Sequence, residues 1–143
     1  MGNGFPIGGV LINHNIKAKH GLLGTTFGGN HLACAAAISV LEVLEKERLL
    51  TNATKMGEYL QSQLKTIPGV KEVRGAGLMI GIDTEASSSE IRKQLLFEHN
   101  IFTGYSSSTK TIRLLPALNI SKEEINWFLE AFTKVLQNQN VLT

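Results

Sequence analysis

Val70-Lys71-Glu72-Val73-Arg74-Gly75-Ala76-Gly77-Leu78-Met79-Ile80-Gly81-Ile82 reads as two strands folded back on each other. Val70–Arg74 and Leu78–Ile82 are rich in branched apolar residues, and Gly75-Ala76-Gly77 supplies the tight turn of an antiparallel pair. Downstream, Ser87 with Glu90 forms a capping-box pattern that predicts a helix over Glu90–His99. Ile101–Thr103 and Thr111–Leu115 follow as two further strands, with Ser106-Ser107-Ser108 as loop between them. Ser121 with Glu124 repeats the capping box and opens a last helix. Its Ile125, Phe128, Leu129, Phe132 and Leu136 fall on one apolar stripe. The order β-β-α-β-β-α predicts a small α+β layer of one sheet and its helices.

Upstream of the hairpin, a helix is expected from about Asn52 to Lys65. Leu60 and Leu64 lie one turn apart on it, and Ile67-Pro68-Gly69 ends it. Before that, Asn30 is a plausible N-cap for a long helix carrying Leu32, the alanine-rich run Ala33–Ala37, Ile38, Leu41 and Leu44. Lys46 and Arg48 suit its negative C-terminal pole. Residues 1–29 read as turn, strand and loop. Phe5-Pro6-Ile7 and Val10-Leu11-Ile12 are short apolar runs split by Gly8-Gly9, and His14 to His20 is a polar, basic surface loop.

Composition limits what such a chain does. It has 143 residues, 43% hydrophobic and 18% charged. That is ordinary for a globular fold and excludes disordered, collagenous and coiled-coil classes. Lys+Arg 14 against Asp+Glu 12 leaves +2, too balanced for a nucleic-acid or acidic-membrane binder. No run approaches the ~18 apolar residues of a membrane span, and no basic segment precedes an apolar run as in a signal peptide. The lone Cys34 cannot build a disulfide framework, which points to a reducing, cytoplasmic setting, and its neighbours make it a small core residue. Eight of the 14 glycines (Gly2, Gly4, Gly8, Gly9, Gly21, Gly24, Gly28 and Gly29) crowd the first 29 residues, an uncommon opening for a self-contained domain.

Two stretches have the residue types of a binding site. Gly24-Thr25-Thr26-Phe27-Gly28-Gly29-Asn30 leads into a helix; glycines allow close backbone approach, and threonine hydroxyls with helix-start amides suit an anion such as phosphate. By pattern alone the signal is weak, and a capped loop without a ligand is the simpler reading. Arg113, between apolar residues in Ile112-Arg113-Leu114-Leu115-Pro116, is placed to grip a carboxylate, to form a structural ion pair or simply to face solvent. Arg74, abutting a turn, reads as structural. His14, His20, His31 and His99 are too scattered for a metal centre; His31 has a surface or supporting role. No nucleophile elbow or Walker loop occurs.

Together these stretches resemble class III, pyridoxal-phosphate-dependent aminotransferases, of fold type I. Met1-Gly2-Asn3-Gly4-Phe5-Pro6-Ile7-Gly8-Gly9 is similar to the segment after the family's cofactor lysine. Gly24–Asn30 resembles its phosphate-binding motif, Val73-Arg74-Gly75-Ala76-Gly77-Leu78-Met79 its small-domain hairpin, and Ile112–Pro116 its substrate-arginine strand. The order and spacing match over nearly the whole chain. Within the family the likeness is greatest to acetylornithine/ornithine (acylornithine) aminotransferases. The chain departs from many relatives at His31, Ala76 and Ala117, where they carry proline, a basic residue and proline.

The resemblance implies roles residue by residue. Thr26 would bind the cofactor phosphate of a neighbouring subunit, Thr25 would lie beside cofactor and acylornithine, and Arg113 would hold a substrate carboxylate. It implies a homodimer formed through the 20–30 loop region, with pyridoxal 5'-phosphate as cofactor. The amino donor would be N-acetylornithine or a related acylornithine, the acceptor 2-oxoglutarate, and the setting arginine metabolism. It also implies two parts: residues 1–48 as the end of the large cofactor-binding domain with a dimer-contact loop and linking helix, and 49–143 as the small C-terminal domain. The family's lysine would fall two positions before Met1, so the chain is expected to be a C-terminal portion that is inactive alone, with no catalytic residue of its own. Two other readings are an aminotransferase for 4-aminobutyrate, ornithine or another ω-amino acid, and a stand-alone ligand-binding or oligomerisation module. An alanine-rich helix face without its partner is expected to promote self-association.

Overall fold

A computed structural model of the protein describes residues 3–17, 19–21 and 24–141. Met1 and Gly2 of the opening motif lie outside them, as does part of the 20–30 loop. The chain divides into two compact units, Met1–Arg48 and Leu49–Thr143.

Among its described residues, the first unit has one helix, α1 (His31–Lys46). Asn30 caps it: the Asn30 side chain accepts from the Ala33 amide at 2.9 Å, while its own amide donates to the Phe27 carbonyl at 2.9 Å. Arg48, at φ 53, takes the left-handed conformation just past the helix, with its amide donating to the Glu45 carbonyl at 3.1 Å. Along α1 only Ala33 and Ala37 are buried, while Leu32, Ile38, Leu41 and Val43 are exposed. Cys34, expected in a core, is a half-buried free thiol. The strand expected within residues 5–12 is not formed. Phe5 makes only an isolated bridge, and Val10, Leu11 and Ile12 are exposed irregular chain that pairs with no strand among the described residues.

The second unit runs α2 (Leu49–Leu64), β1 (Val70–Ala76), β2 (Met79–Thr84), α3 (Ser88–His99), β3 (Gly104–Tyr105), β4 (Thr111–Leu114) and α4 (Lys122–Val141). The predicted β-β-α-β-β-α order is present. The sheet is antiparallel throughout, in the order β1-β2-β4-β3. One face of it, carrying Ile80, Ile82, Ile112 and Leu114, packs with Leu60 and Leu64 of α2, Ile91 and Leu95 of α3, and Ile125, Phe132 and Val135 of α4. Phe128 and Phe132, one turn apart, stack at 5.4 Å between ring centroids.

Glycine is required at two points of this packing. At Gly75, φ is 146° and an added Cβ would overlap the Met79 carbonyl. Gly57 of α2 lies directly against the backbone of Gly77, so any Cβ there would force helix and hairpin apart. Asn52 then ties α2 to the α4 approach, its amide donating to the Leu118 and Ile120 carbonyls at 2.7 and 3.1 Å.

Three local expectations are corrected. The strand expected at Ile101–Thr103 forms instead at Gly104–Tyr105, since only those residues reach β4 in register. Ser87 does precede α3, but its side chain makes no capping bond. α2 begins at Leu49 rather than near Asn52, a shift within the usual scatter of helix ends. At α4 the capping box closes in both directions: the Ser121 amide donates to Glu124 at 2.7 Å and the Glu124 amide to the Ser121 hydroxyl at 3.2 Å.

Candidate functional site

Thr25 and Thr26 belong to the first unit, Arg113 to the second. The threonines lie on the exposed loop that delivers the chain to the α1 N-terminus. Gly28 folds back on Thr25 so closely that an added Cβ would overlap the Thr25 methyl, and Gly29 sits at φ 69. The loop is therefore pinched by two glycines and locked to the helix by Asn30. Both threonine hydroxyls are exposed and lack a hydrogen-bond partner among the described residues. Hydroxyls, backbone amides and the positive pole of α1 are the donor set that suits a phosphate group. His31 is the exposed first residue of the helix, clear of any acidic neighbour.

Arg113 stands on β4 between Ile112 and Leu114, which both point into the core, so strand alternation sends it to the opposite face. On that face Gly81 is its partner on β2 and Gly104 its partner on β3. Arg74 of β1 pairs with the other side of Gly81. A single row across all four strands therefore reads Arg74, Gly81, Arg113, Gly104.

The two arginines differ in electrostatic state. Arg74 makes a two-pronged pair with Asp83, one prong at 3.1 Å, with Glu72 3.7 Å away. Asp83 also accepts from the Thr111 hydroxyl. Hydrogen bonding from Arg74, then from Thr111, holds the Asp83 carboxyl below its ordinary range, and the same pair raises Arg74. Arg74 is structural, as its place beside a turn suggested. Arg113 is exposed and has no carboxylate within ion-pair distance among the described residues. A planar, permanently charged fork left free in this way suits a bidentate grip on a carboxylate.

Arg113 and Gly104 also border a cavity of about 480 Å³ that continues past Thr103 and Pro116 to Trp127 and Phe128. It opens where Ile101–Thr103 diverges from β4, ahead of the two residues that pair as β3. Asp83 and Gly104 escaped the sequence reading. Asp83 was legible in principle, since Ile80 and Ile82 point inward and place Asp83 outward beside Arg74. Gly104 had no local signal. Among the described residues no group of three His, Cys, Asp or Glu is arranged to hold a metal, and no helix is long and apolar enough to cross a membrane.

Residues 1–136 match the family described as aminotransferase class-III. The chain is 42% identical, over 96% of its length, to the ornithine aminotransferase of Bacillus subtilis strain 168. It is 39% identical, over 91% of its length, to the acetylornithine aminotransferase of Archaeoglobus fulgidus. It covers 35% and 34% of those two proteins, so it spans about a third of the length of the curated relatives it matches. Among solved structures, the ornithine aminotransferase of Toxoplasma gondii ME49 superposes with a TM-score of 0.77 at 28% identity, over 88% of this chain and 31% of that one. On the family match over residues 1–136 and on these identities, the chain belongs to the class III, pyridoxal-phosphate-dependent aminotransferase family.

Proposed function

We propose that the protein acts, within a dimeric pyridoxal-phosphate enzyme of the family's full length, to transfer the amino group of N-acetylornithine or a related acylornithine to 2-oxoglutarate. The observation that carries this reading is the state of Arg113: an exposed guanidinium, free of carboxylate partners, on the same strand row as an arginine that is fully committed. Both the amino donor and the keto acid carry carboxylates for it to hold. Names of both the ornithine and the acetylornithine type occur among the relatives, and the motif likeness at Gly24–Cys34 and Arg74–Gly81 is to both; the acyl preference rests on Thr25, which matches the family residue beside an acylornithine.

In this reading Thr26 donates its hydroxyl and amide to the cofactor phosphate across the dimer seam, and Thr25 borders cofactor and donor. The pinch at Gly28 shapes that loop, and Asn30, which caps the Ala33 amide, fixes it to the start of α1. The cofactor, when bound, supplies the electron sink that lets an amino group leave one carbon and join another. Arg113 fixes the reacting substrate by its carboxylate, converting part of the encounter into orientation. Residues 1–48 contribute the loop and linking helix of the large domain, and 49–143 the small domain. The 143-residue polypeptide alone is expected to catalyse no transamination, and turnover by it would overturn this division of labour.

The experiment is a substrate comparison on the intact enzyme with acetylornithine, succinylornithine, ornithine and 4-aminobutyrate. Highest kcat/KM for an acylated donor is expected, whereas a strong preference for 4-aminobutyrate overturns the assignment. Thr26→Val is expected to weaken cofactor retention by about 10-fold, from the loss of one charge-assisted hydrogen bond. Cofactor absorbance after dialysis measures it, and full retention removes Thr26 from the site.

A further inference from the structure

Both arginines of the strand row have a glycine beside them, and the two glycines are not equivalent. A Cβ at Gly81 would meet the stem of Arg74 at 3.7 Å and its Nε at 3.8 Å, with the Thr111 methyl at 3.8 Å. These are ordinary contacts, so the space over Gly81 is roomy. A Cβ at Gly104 would meet the Arg113 carbonyl oxygen at 3.0 Å, its Nε at 3.2 Å and its Cβ at 3.4 Å. The Arg113 side chain therefore lies down across Gly104 with no room to spare, leaning toward β3, the edge strand of the sheet.

The seat is part of a very short strand. β3 is two residues long and pairs only with β4, so few ladder bonds hold it. A third arginine makes up the deficit from α3. Arg92 Nε donates to the Thr103 carbonyl at 3.2 Å, and its guanidinium lies 5.5 Å from the centre of the Tyr105 ring. Arg92 thus grips the residue before Gly104 and the residue after it.

The geometry points to Gly104 as a positioning residue for Arg113, seating its guanidinium at the sheet edge, with Arg92 pinning that seat to α3. This rests on the reading that Arg113 holds a substrate carboxylate. A side chain at position 104 lifts the guanidinium from the strand and moves the carboxylate's anchor. Loss of the Arg92 grip lets the seat itself shift. Neither residue touches substrate, so the effect falls on carboxylate binding and not on the chemical step.

The test uses the intact, cofactor-loaded enzyme, with KM for 2-oxoglutarate, kcat, and Ki for the unreactive dicarboxylate glutarate. Gly104→Ala is expected to raise KM and Ki together by about fivefold, and Gly104→Val by more, with kcat within about twofold of the parent. Gly81→Ala, in a roomy site beside the committed arginine, is expected to leave all three unchanged. Arg92→Gln, which keeps the glycine, is expected to move KM and Ki in the same direction by about threefold. This second variant guards against a Gly104 chain that fails to fold. Arg113→Gln separates the two levels of the argument. If it raises KM and Ki while the Gly104 and Arg92 variants do not, the seat is refuted and the carboxylate role of Arg113 stands. If it changes neither, both fall. A fall in kcat with KM and Ki unmoved also refutes the seat.

Discussion

The two units solve the burial problem in opposite ways. Leu49–Thr143 closes a core of its own, in which side chains from one sheet face and three helices lose contact with water. Among its described residues, Met1–Arg48 buries only Ala33 and Ala37, both on α1, and leaves Leu32, Ile38, Leu41 and Phe27 exposed. A helix in isolation draws little stability from propensity, and most of what holds one comes from packing an apolar face. The second unit therefore has the ingredients of independent stability, whereas the apolar residues of the first have the composition of an interface.

The sharpest way to break this contrast is a pair of substitutions by alanine. Phe132, fully buried, is expected to cost about 3–5 kcal/mol when replaced by Ala, in urea unfolding followed by circular dichroism. A cost below ~1 kcal/mol would mean that the core is not closed as described. Gly57→Ala comes next: the added methyl must push α2 from the Gly77 backbone, at about 1–3 kcal/mol. A neutral result would show that helix and hairpin separate freely.

Smaller still is the α4 cap, where Ser121→Ala is expected to cost about 1 kcal/mol. That cap depends on pH. The backbone amide and then the hydroxyl of Ser121 hold Glu124 below its ordinary pKa, and Asp83 is depressed likewise by Arg74. A group depressed in the folded state contributes stability that is present above its ordinary pKa and lost as pH falls through the folded value. Stability is expected to decline below about pH 4, less steeply in Glu124→Gln; equal slopes in a pH series would remove Glu124 from the account. The smallest effect belongs to the first unit. Leu41→Ala, 51% exposed, is expected to change stability by no more than about 0.5 kcal/mol. It is also expected to lower any concentration-dependent association seen in sedimentation, and a large loss of stability would reveal a core in the first unit.

The same contrast explains what the sequence made legible. Order and pairing in the second unit followed from local signals: the glycine-bracketed turn at 75–77, the Ser121–Glu124 box and the stripe from Ile125 to Leu136. Each of these acts over a few residues, so reading along the chain finds it. Phe5–Ile12 misled because apolar runs resemble strands whether or not a partner exists, and pairing is a long-range property. The third strand misled by register: Ile101–Thr103 is the more apolar run, yet Gly104 and Tyr105 are the residues that reach β4. Thr25, Thr26 and Arg113 were legible through family likeness. The seat beneath Arg113 was not, because Gly104 owes its meaning to a residue nine positions away on the neighbouring strand.

The strand order β1-β2-β4-β3 also has a temporal consequence. The β1–β2 hairpin joins residues a few positions apart and can form within microseconds. β2 reaches its other neighbour only after the chain has passed through α3, and the core waits for Ile125, Phe132 and Val135 of α4. A chain synthesised from its first residue therefore has only α2 to cover Ile80 and Ile82 until some fifty further residues have emerged.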